Sequence, residues 1–81
     1  MDDVKDLIAV EGTVENIIFK NEENGYTVCE LATTDDELIT LVGLMPFLGE
    51  GEMIKALGNW EMHASFGRQF KIQYFEKFVF A

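Results

Sequence analysis

Along this chain, short apolar runs rich in β-branched and aromatic residues are separated by single glycines and small polar clusters. Such spacing predicts several short strands in a small all-β barrel or sandwich. The first predicted strand covers residues 10–19, and Gly12 near its start marks a bulge or a sharp coil. Asn21-Glu22-Glu23-Asn24-Gly25 follows. Its Asn-Gly pair is a strong hairpin signal, because both residues tolerate positive φ. A second strand is predicted over residues 26–31. Thr33-Thr34-Asp35-Asp36 turns the chain into a third over residues 38–43, completing a meander. Residues 44–52 hold Pro46, Gly49 and Gly51 and form the longest interruption, a single helical turn or an irregular loop. Residues 53–62 resume the strand pattern, with Gly58 permitting a bend. Ala64-Ser65-Phe66-Gly67 is a tight turn into a last strand over residues 68–78. There Phe70, Ile72 and Tyr74 alternate with Gln69, Lys71 and Gln73 at period 2. Residues 3–8 are either a short helical turn or a frayed end.

A three-strand meander, one longer crossover and a final hairpin suit the five-stranded Greek-key barrel known as the OB-fold. An SH3-like barrel is the runner-up. The longer third connection favours the OB wiring, which places a helix or loop there. The chain then divides into an amino-terminal extension at 1–9, the barrel at 10–78 and a carboxy-terminal end at 79–81. The closing Phe75-Glu76-Lys77-Phe78-Val79-Phe80-Ala81 is apolar for a free terminus, so more chain is expected beyond it.

Composition narrows the function. Eighty-one residues make one small domain. Fifteen acids against six bases give a net charge of −9, far from the basic footprint of a typical nucleic-acid binder and unsuited to an anionic membrane surface. With 48% apolar residues, the chain is no disordered acidic tail. The single cysteine, Cys29, excludes an internal disulfide and makes a reducing cytoplasm the default. No apolar run approaches the ~18 residues of a membrane span. The acidic start lacks a signal peptide's basic region.

Glu11-Gly12-Thr13-Val14, the segment Ile17-Ile18-Phe19-Lys20-Asn21-Glu22-Glu23-Asn24-Gly25-Tyr26-Thr27-Val28, then Val42-Gly43, Gly51-Glu52, Gly58-Asn59-Trp60, His63 and Phe66-Gly67-Arg68-Gln69-Phe70 form an ordered set across residues 10–75. This set resembles the amino-terminal OB-type domain of RecD-like ATP-dependent DNA helicases, the family of the exodeoxyribonuclease V alpha subunit. The resemblance implies an accessory part of a motor acting in DNA recombination and repair. ATP and Mg²⁺ would belong to the motor domains of that parent, with no cofactor in this domain. The sequence has no G-x-x-x-x-G-K-[ST] phosphate loop, so the ATPase would lie in other domains of the same chain.

No triad, metal cluster or nucleotide loop assembles from one histidine, one cysteine and scattered carboxylates, so no catalytic or metal residue is assigned. Cys29 reads as an inert packing residue. Glu22-Glu23 and Asp35-Asp36 read as solvated turn carboxylates, and His63 as a hairpin-end hydrogen-bonding group. OB-folds hold single strands by stacking bases on aromatics in a basic groove. The candidates for such contact are Lys20, Tyr26, Trp60, His63, Phe66, Arg68 and Lys71, although Trp60 and Phe66 are needed as core in so small a barrel. The alternative is docking on the motor or a partner protein. Candidates there are Leu44, Phe47 and Leu48 in the crossover, and Phe75, Phe78 and Phe80 at the end. The crossover residues have a competing role as a plug in the barrel bottom. Three functions therefore stand: a scaffold that positions DNA indirectly, a weak single-strand contact, and a stand-alone acidic adaptor.

Overall fold

The computed structural model describes residues 6–65 and 67–78. It contains β1 (Ile8–Lys20), β2 (Tyr26–Thr33), β3 (Leu38–Leu44), β4 (Met53–His63) and β5 (Gly67–Lys77). They close into a barrel in the order β1-β2-β3-β5-β4. The meander β1-β2-β3 and the hairpin β4-β5 are antiparallel, β1 pairs with β4 antiparallel, and β3 meets β5 in a short parallel ladder. This is the OB wiring expected from the sequence.

β1 begins at Ile8 and not at residue 10, because Ile8 and Ala9 pair with Gly58 and Leu57 of β4. Of the possible helical turn over residues 3–8, residues 3–5 lie outside the described residues, and Ile8 itself is strand. Gly12 is not a bulge. It is buried where β1 pairs with β2 and β4 at once, opposite Thr33 and Ile54. The register shifts lie further on, between Val14 and Asn16 and between Ile17 and Phe19. The Asn-Gly turn also works differently from expectation. Only Gly25 takes a positive φ, at 81°. Asn24 contributes through its side chain, whose Oδ1 accepts the Tyr26 N–H at 2.9 Å.

The core consists of Val14, Cys29, Leu31, Leu41, Met45, Leu48, Ile54, Ala56, Phe70 and Ile72, with Val10, Ile17, Ile39, Trp60 and Phe75 packed against it. Residues 45–52 are an irregular crossover that seats Met45 and Leu48 in the barrel. Period 2 does not persist through β5. Phe70 and Ile72 point inward, but Tyr74 is exposed and Phe75 packs on the core. A shift at Leu57/Gly58 of β4 leaves Gln73 unmatched, which reverses the faces beyond it.

Candidate functional site

Two residues in the β1 register shifts, Glu15 and Ile18, have no partner across β2. The second shift puts consecutive apolar residues on the outside: Ile18 is 55% and Phe19 52% exposed, while Ile17 packs on the core. Both outward residues border a groove across the outer face of β1, β2 and β3. Tyr26, Val28, Thr40 and Val42 line its floor, and His63 and Gln69 of the final hairpin line its far wall. Its volume is about 390 Å³. The floor follows the ladder, with Phe19 opposite Val28, Val28 opposite Val42, and Val42 opposite Lys71. Leu44 pairs with Tyr26 and extends the apolar surface toward the crossover.

The sequence candidates separate into groups. Tyr26 and His63 line this one groove, and the Nδ1 of His63 accepts the Ser65 N–H at 3.0 Å. Lys71 stands at the end of the floor row. Lys20 follows Phe19, but its ammonium donates to the Leu48 carbonyl at 3.1 Å. Trp60 and Arg68 form a separate cluster. Trp60 meets Phe70 edge-to-face with centroids 5.1 Å apart. The Arg68 guanidinium covers the Trp60 ring at 3.9 Å. Trp60 is therefore a half-buried end piece of the core, and stacking on it occupies Arg68. Phe66 and Phe80 lie outside the described residues.

The interface candidates are also sorted. Phe47 is 86% exposed and Leu44 is open as well. Leu48, at 3% exposed, is core and has no free surface for a partner. Phe75 packs half-buried against the core, and Phe78 is exposed at the end of β5. The plug role thus falls to Met45 and Leu48, and the outward role to Leu44 and Phe47.

Among the described residues, no Lys or Arg lines the groove. Lys77 pairs with Glu52 at 3.1 Å and donates to the Phe47 carbonyl. Lys55 lies across from Glu11 on one side and Glu76 on the other. Cys29 is fully buried, and burial, reinforced by Glu30, pushes its thiol up to about 11, so it stays protonated and unreactive. Among the described residues, no three His, Cys, Asp or Glu side chains gather as a metal site. None of the described helices is long and apolar enough to cross a membrane.

Ile18, Phe19, Val28, Thr40, Val42 and Gln69 line the groove but were not among the site candidates the sequence offered. The outward faces of the strands were not legible, because runs such as Ile17-Ile18-Phe19 are apolar on both sides and the doubled face of Ile18 and Phe19 comes from a bulge, which is defined by the strand opposite. Compared with known families, residues 7–79 match the model described as ATP-dependent DNA helicase YrrC, OB-fold domain.

Proposed function

The chain belongs to the OB-fold domain family of the ATP-dependent DNA helicase YrrC, and from that premise we propose that it serves a RecD-like helicase by positioning and not by gripping. The domain itself is non-catalytic. In this reading ATP and Mg²⁺ act in the motor domains of the parent. The barrel docks on those domains or on a partner protein and sets the approach of DNA during recombination and repair. The observation that carries the reading is the apolar groove, which no Lys or Arg among the described residues lines, in a chain whose net charge is −9. Affinity for a nucleic-acid backbone comes largely from counterions released by Lys and Arg contacts, and this face has few to offer.

A titration of the chain with fluorescein-labelled oligo-dT tests it. Binding weaker than about 100 μM is expected at ~0.15 M salt, where even non-specific DNA binders typically reach 10⁻⁴–10⁻⁶ M. Submicromolar binding at low salt, weakened by Arg68→Ala and Lys71→Ala, overturns the proposal. A second reading, weak base stacking, draws on Tyr26 and His63 sharing one groove. It requires that Tyr26→Ala weaken whatever oligo-dT binding is seen.

A further inference from the structure

We infer that the groove across β1, β2 and β3 seats a polypeptide segment whose apolar side chains are flanked by lysines or arginines. This rests on the docking reading above and names the chemistry of the docked partner. The floor is apolar and accessible: Ile18, Phe19 and Tyr26 are exposed above Val28 and Val42. The volume of about 390 Å³ lies near the lower end of ligand pockets and suits a few side chains rather than a folded domain's face. Aromatic residues grouped in such a depression are the usual anchors of protein recognition.

The rim decides the partner's charge. Glu30 lies across from Thr40 on the floor. Glu61 accepts a 2.6 Å hydrogen bond from Gln69 in the wall. Beyond the rim, Glu22 and Glu23 occupy the turn between Phe19 and Tyr26, where they line a neighbouring depression with Lys20, Pro46 and Phe47. Against these carboxylates stands Lys71 beside Val42. Lys20 points away to the Leu48 carbonyl, and His63 forms part of the wall. Apolar side chains on the floor with cations on this rim satisfy both surfaces. A phosphate backbone or an acidic peptide satisfies only the floor. A second copy of the same face would oppose carboxylate to carboxylate, which disfavours self-association.

The test is fluorescence anisotropy with two labelled peptides. Both alternate leucine and phenylalanine with serine; one has Lys-Lys ends and the other Glu-Glu ends. The lysine-ended peptide should saturate the chain in the micromolar range, about tenfold tighter than its glutamate twin, and weaken with salt. Phe19→Ala and Tyr26→Ala, both at accessible positions, should weaken it several-fold with the thermal transition retained. The double change Glu30→Lys with Glu61→Lys should reverse the preference between the peptides. Equal affinity for the two peptides, no saturation by either, or indifference to Phe19→Ala and Tyr26→Ala overturns the inference. Failure to bind either peptide, with oligo-dT also unbound, defeats this inference and leaves the docking reading standing. Submicromolar oligo-dT binding that displaces the lysine-ended peptide defeats both.

Discussion

Gly58 holds β4 against β5 at a distance no other residue tolerates. A Cβ built there would meet the Lys71 carbonyl oxygen at 2.0 Å and Ile72 Cα at 2.8 Å. Both contacts are backbone, so no rotamer relieves them. Gly58→Ala should therefore destabilise the fold by about 3 kcal/mol or more, read as a lower urea midpoint. A loss below about 0.5 kcal/mol, the range of neutral surface changes, would show that the strands part easily here. Gly12 has the same geometry, with the Ala32 carbonyl oxygen 2.2 Å from a built Cβ. The sequence marked both glycines as special places in strands. For Gly12 it offered a bulge or a sharp coil, and the bulge does not form, because bulge and close approach leave the same single-residue signature. Only the identity of the opposing backbone separates them.

At the scale of elements, the crossover behaves as a strap on β1. The Gly51 N–H donates to the Val14 carbonyl, and the Val14 N–H donates to the Glu52 carbonyl, both at 2.8 Å. Glu50 Oε2 accepts the Ile17 N–H at 2.9 Å, beside the register shift that frees Ile18. Glu52 Oε1 accepts the Gly49 N–H at 2.7 Å and pairs with Lys77. These contacts, the Gly49 N–H first and Lys77 next, hold the Glu52 carboxyl below its ordinary value of 4.5. A depressed carboxyl in the fold favours the native state above the unfolded pKa, and that contribution disappears as pH falls through the folded value. Glu52→Gln should thus lower Tm at pH 7, and the gap to the unaltered chain should close as pH drops below 4.5. A gap unchanged in acid would mean that the carboxylate's charge is not what ties the strap. Pattern alone located this crossover and its length. It could not divide Leu44, Met45, Phe47 and Leu48 between outside and inside, because an irregular segment has no period. The division follows from local turns, including the positive φ of 64° at Phe47.

For the molecule as a whole, the net charge of −9 is spread over a barrel too small to separate its acids widely. Self-repulsion of this kind weakens the compact state and is screened by salt. Tm should rise by a few degrees between roughly 10 mM and 0.5 M NaCl, since the Debye length shortens from about 30 Å to a few ångströms. A fall in Tm would mean that ion pairs such as Lys77–Glu52 outweigh the repulsion. The five strands, the hairpin and turn positions, the acidic balance and the motif set that leads to an OB-fold helicase domain are all written in the chain locally. Strand periodicity, turn chemistry and charge are local properties of the chain, and they remain readable before it folds. The tertiary structure decided which faces of those strands meet. It paired Ile18 with Phe19 on one surface, moved Trp60 and Arg68 away from Tyr26 and His63, buried Leu48 and reversed β5 after Ile72. Each outcome depends on register across a barrel, and register is set by partners far away in sequence.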